Sequence, residues 1–171
     1  MTKIVINKES LDAIIRDLNN TFYMSPYDGY QVAWDAIIKM ANHFQQNKKL
    51  DRMVSFLKII PEEKVKDILS DSAVDELLNI RPLLKTLLSS QHDTINDHRI
   101  SQELKELVRL RTIDPRAALM ILVAVLKRIR DHKVHGFETQ EGSRDEVIYR
   151  SSLRLLYKLG GFAAECLSAN K

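Results

Sequence analysis

The sequence predicts an all-α fold, and three observations carry that expectation. Gly (5) and Pro (4) are scarce in 171 residues and aromatics make up only 6%, too few turn and strand formers for a sandwich or barrel. Apolar residues recur at helical spacing from residue 8 to near the C-terminus. Hydrophobic residues reach 44% against a net charge of +3, from 26 Lys+Arg and 23 Asp+Glu, which suits a folded core and excludes disorder as the main state.

Residues 8–19 place Leu11, Ile14, Ile15 and Leu18 on an i, i+3, i+4, i+7 stripe. The stretch Tyr23-Met-Ser-Pro-Tyr-Asp-Gly29 reads as a break, punctuated by Pro26 and Gly29. A second helix is expected from about Tyr30 to Gln46, burying Ala33, Trp34, Ile37, Ile38, Ala41 and Phe44. Tyr30 and Trp34 read as core rather than base-stacking residues. A third helix near 50–60 carries Met53, Phe56, Leu57 and Ile60. Pro61 opens the next, with Glu62 and Glu63 suiting its positive dipole end. Asp71 or Ser72 caps Ala73–Ile80, Arg81-Pro82 breaks the following segment, and polar Ser89–Thr94 reads as a loop.

An amphipathic helix is expected over about 97–111 on Ile100, Leu104, Leu107 and Val108. Asp114-Pro115 starts another, Asp as N-cap and Pro at the first helical position. This helix holds the longest apolar run, Ala117–Leu126, and continues to about His135, where Gly136 ends it. Residues 137–143 read as a loop and about 145–167 as the last helix, kinked at Gly160-Gly161. The chain is thus expected to form one helical domain over 1–171, with the short helices of 48–95 an insertion into, or an appendage on, a longer bundle.

A run of ten apolar residues is too short to span a bilayer, Met1–Asn7 does not resemble a signal peptide, and the one cysteine, Cys166, has no partner for a disulfide. These features suggest a cytoplasmic protein without a membrane partner. Cys166 reads as a small core residue. No glycine-rich phosphate loop is present, which excludes a P-loop or a dinucleotide fold. His132 and His135 sit at i, i+3 but lack an acidic ligand at matching spacing, so no metal or other cofactor is expected.

Chemistry concentrates in Leu126-Lys-Arg-Ile-Arg-Asp-His-Lys-Val-His-Gly136, at the C-terminal end of the most apolar helix. Basic residues there complement the helix dipole. They also suit a phosphate site, Arg as a fork-shaped anion clamp and His as a proton-transfer group near neutral pH. RNA cleavage without a metal needs both: a base for the 2′-OH proton and a cation for charge developing on the phosphoryl oxygens.

Arg130-Asp-His-Lys-Val-His135 fits the R-x4–6-H motif and resembles the HEPN superfamily, which includes many ribonucleases of prokaryotic toxin and defence systems. The likeness extends to Asp131 directly after the Arg and Gly136 after the His. It also takes in Arg144-Asp145 at the opening of the last helix, with Leu153, Leu156 and Leu159 along it. Trp34 to Phe44 is loosely similar to the first-helix pattern of that group. Asp131 stands where Asn is commoner, and Lys133-Val134 where an apolar pair is usual. The resemblance implies a HEPN-like helical bundle and a metal-independent endoribonuclease leaving 2′,3′-cyclic phosphate and 5′-OH ends. Arg130 and His135 would be catalytic, with Asp131 orienting or polarising them. Lys127, Arg128, His132 and Lys133 would bind RNA.

Five residues turn an ideal helix by about 500°, leaving Arg130 and His135 about 140° apart. The resemblance implies a solution in a homodimer whose two motifs face one cleft at the two-fold axis, and it implies an antitoxin protein as a further partner. Arg109, Arg111 and Arg116 either extend an RNA groove or pair with Glu103, Glu106 or Asp114. Two other readings fit the residues: a non-catalytic HEPN module that binds nucleotide, RNA or a partner protein, and a structural helical protein.

Overall fold

The computed structural model describes residues 6–44, 48–80, 91–134 and 143–169, with the backbone alone described at 91–98, 132–134 and 143–145. Every regular element among the described residues is a helix: α1 Lys8–Asn20, a 3-10 turn Thr21–Tyr23, α2 Pro26–Ala41, α3 Lys49–Lys58, α4 Glu62–Leu69, α5 Ser72–Asn79, α6 Gln91–Ile113, α7 Pro115–Val134 and α8 Ser143–Ala169. The all-α expectation holds. No helix among the described residues is long and apolar enough to cross a membrane.

The chain divides into two compact units, Met1–Lys64 with Leu153–Lys171, and Val65–Ser152. In the first, α1 begins at Asn7, whose side chain accepts a hydrogen bond from the Ser10 N–H at 2.7 Å. Leu11, Ile14 and Leu18 face inward, as their spacing requires. Tyr30, Trp34, Ile37 and Met40 of α2 are buried, so the two aromatics are core residues as expected. Phe44 meets Phe56 edge-on, with ring centroids 6.0 Å apart.

One expectation needs correction here. Residues 26–29 are not a break: α2 starts at Pro26, with Ser25 as N-cap accepting from the Asp28 N–H. Gly29 lies inside the helix because a Cβ there would stand 3.1 Å from the Thr21 carbonyl oxygen and 2.9 Å from Leu153 Cδ2. Helix α8 is continuous through Gly160-Gly161. Gly160 serves close packing, since a Cβ on it would fall 2.8 Å from Leu18 Cδ2.

The second unit holds the rest of α4, then α5, α6, α7 and the start of α8. The Asp71 side chain caps α5 through the Ala73 N–H at 3.0 Å. Helix α6 starts at Gln91, six residues before the amphipathic pattern, so residues 91–94 are helical rather than loop. Asp114 closes the turn between α6 and α7. Its N–H donates to the Leu110 carbonyl at 2.8 Å, and its carboxylate accepts from the Ala117 N–H at 3.1 Å. Ile100, Leu104 and Leu107 of α6 and Leu119, Leu122, Leu126 and Ile129 of α7 are buried. Arg111 ties α6 to α5, donating to Asp75 at 2.9 Å and to the Leu69 carbonyl at 3.4 Å. The expected break at Arg81-Pro82, residues 89–90 of the expected loop, the Gly136 stop and residues 137–142 of the expected loop after it lie outside the described residues.

Candidate functional site

The last described turns of α7 carry the motif from Arg130 as far as Val134. In residues 127–131 Ile129 is buried, Lys127 is exposed, and Arg128, Arg130 and Asp131 are partly buried. Arg130 and Asp131 come together: Arg130 Nη1 donates to Asp131 Oδ1 at 3.2 Å, both side chains being about one-third exposed. Lys127, one helical turn earlier, donates to the other carboxylate oxygen, Oδ2. Asp131 is therefore bracketed by two cations. Partial burial works against its ionisation. The hydrogen bonds from Lys127 and Arg130, with their two charges, outweigh that and hold the carboxyl below its ordinary range.

Arg128 takes a different direction. Its Nη2 donates to Glu103 Oε1 of α6 at 2.7 Å, both side chains about three-quarters buried. The pair is single-bonded, because Arg128 Nη1 and Glu103 Oε2 are buried without a hydrogen-bond partner. Arg130 Nε is also buried and unpartnered. Three of the four such side-chain atoms among the described residues thus belong to Arg128, Glu103 and Arg130, the fourth being Ser152 Oγ. Buried donors without acceptors are costly, and two of these three are guanidinium nitrogens.

The structure thus joins Lys127, Arg130 and Asp131, and turns Arg128 toward α6. The side chains of His132 and Lys133 and all of His135 lie outside the described residues, as do the side chains of Arg144 and Asp145. Of the flanking cations, Arg109 pairs with Glu106 through its Nε at 2.9 Å on the exposed face of α6, and Arg111 is held by Asp75. Glu103 is the site residue that sequence reasoning did not attach to Arg128. The two are 25 positions apart, and only the register of α6 against α7 brings them together.

No protein-family model matches the chain, and no curated protein or solved structure matches it either. The residues at the end of α7 therefore carry the functional reading on their own chemistry.

Two other features among the described residues suit a phosphate poorly. A cleft of about 560 Å³ between α1 and α8 is lined by Ile15, Leu18, Tyr157, Gly161, Ala164 and Glu165 among others, and has no basic residue in its wall. Cys166 is half-buried rather than a core residue. Burial foremost, then Glu165 and Glu63, pushes its thiol up against the opposing effect of Lys64, so the thiolate is disfavoured. Among the described residues, no three His, Cys, Asp or Glu side chains gather as a metal site.

Proposed function

We propose that the end of α7 belongs to the active site of a metal-independent, HEPN-type endoribonuclease acting as a toxin or defence effector. The observation that supports this reading best is the state of Arg130. One of its nitrogens is fixed by Asp131 while its Nε is buried with no acceptor. A phosphoryl oxygen would satisfy that donor and take up the positive charge. In this mechanism His135 accepts the proton of a ribose 2′-OH. The 2′-oxygen bonds to the adjacent phosphorus, and the bond from phosphorus to the 5′-oxygen breaks. The 5′-oxygen takes a proton back from the protonated His135, directly or through water, leaving a 2′,3′-cyclic phosphate and a 5′-OH. Arg130 stabilises the charge on the non-bridging oxygens, and Asp131 holds its guanidinium in place.

The reading includes a homodimer with the two motifs facing at the two-fold axis, and an antitoxin protein that restrains it. The test is cleavage of RNA in EDTA with end-group analysis. The parent is expected to yield cyclic-phosphate ends, and Arg130→Ala and His135→Ala to lose about 10²- to 10⁴-fold in rate. No cleavage by the parent, or equal cleavage by His135→Ala, overturns the catalytic assignment.

One observation favours the non-catalytic alternative. Lys127 and Arg128 are both engaged by acids, which reduces the positive field offered to RNA and suits a module that binds a partner protein. Growth inhibition on expression that vanishes with Arg130→Ala decides against it.

A further inference from the structure

We propose that Glu103 is an electrostatic latch on Arg128, holding the guanidinium against α6 until an RNA phosphate displaces it. This rests on the reading of α7 as an RNA site. The pair is under-bonded: one hydrogen bond at 2.7 Å joins Arg128 Nη2 to Glu103 Oε1, while the second donor, Nη1, and the second acceptor, Oε2, remain buried and unmade. A guanidinium and a carboxylate are able to form two parallel bonds, so the geometry here leaves half of that capacity unused. A phosphate offers two oxygens in the spacing that the guanidinium fork fits, and it would satisfy the donor that Glu103 leaves free. The released carboxylate would regain hydration at a site already about one-quarter exposed.

Arg128 stands two positions before Arg130, about 200° round an ideal helix, so a phosphate drawn to it is a contact separate from the one at the Arg130–Asp131 pair. The latch makes Arg128 a specificity residue. It contributes to ligands with enough anionic character to compete with Glu103 and is withheld from weaker anions.

The experiment is a double-substitution cycle on the full chain, with a 2′-deoxy oligonucleotide as a non-cleavable single-stranded probe titrated over a range of salt. Glu103→Gln is expected to tighten binding several-fold. It should also steepen the slope of log affinity against log salt by up to about 0.7, the release expected for one phosphate contact on a single strand. In an Arg128→Gln background the same change is expected to do nothing. Glu103→Met, similar in volume and uncharged, is read the same way if Glu103→Gln lowers the unfolding midpoint. Binding by the parent that Glu103→Gln leaves unchanged in affinity and slope overturns the latch alone, and Glu103 is then a structural tie between α6 and α7. Absence of binding by the parent and by every variant overturns the latch, while the ribonuclease reading stands or falls separately on RNA cleavage in EDTA.

Discussion

Asp131 has both carboxylate oxygens occupied, one by Lys127 and one by Arg130, and this fixes how it responds to pH. Its folded-state value lies below its unfolded one, since the two cations outweigh partial burial. It therefore contributes stability above the ordinary carboxylate range, near about pH 4, and that contribution is lost as pH falls through the lowered folded value. Asp131→Asn is expected to be less stable than the parent at neutral pH. The cost should not exceed about 1 kcal/mol, because a third of the side chain is exposed and solvent screens the pair. Thermal unfolding against pH should show the two proteins converging in acid. A gap that stays constant down to about pH 2 would show that the charge is not its source. The sequence joined Asp131 to its neighbour Arg130 but assigned Lys127 to RNA, although Lys127 and Asp131 stand at the i, i+4 spacing of a helix pair. Glu103 with Arg128 was not legible, because no local rule links residues on two different helices.

The helices show where local chemistry suffices and where it does not. Asp114 caps α7 as its position before Pro115 predicts, and Asp114→Ala should cost about 1 kcal/mol in chemical denaturation. Asp71 caps α5 in the same way. Ser25-Pro26 carries the same start signal, but Gly29 three residues later reads as a breaker. Its presence inside α2 follows from the Thr21 carbonyl and Leu153 pressing on that position, which is a tertiary fact. Gly29→Ala is expected to destabilise by about 1–3 kcal/mol through overpacking. Gly161→Ala, with nothing within 4 Å of a new Cβ, should stabilise by up to about 1 kcal/mol through helix propensity alone. Unfolding midpoints of the two variants should move in opposite directions. The early start of α6 at Gln91 has a local cause instead: once nucleated, a helix propagates through backbone hydrogen bonds whether or not its next turn is amphipathic.

At the scale of the whole molecule, a net charge of +3 says little until the pairing is known. Within the described part of the α7 cluster, Lys127, Arg128 and Arg130 face Glu103 and Asp131, so most of the local excess is neutralised internally. The proposed homodimer predicts a sedimentation mass near twice 19.7 kDa. A monomer at micromolar concentration that still cleaves RNA would show that each motif works alone. The sequence by itself determined the helical class, most helix starts and the side-chain pairs within one or two turns, because helix pitch and capping are local properties of the chain. Only the tertiary structure decided which cations are left for a ligand. Arg111 is held by Asp75, 36 positions away, Arg128 by Glu103, 25 away, and Ser151 donates to Glu76 across 75 positions. Those pairings are set by how the helices pack and in what register, and the buried apolar faces that fix the register leave no mark on the charged residues they bring together.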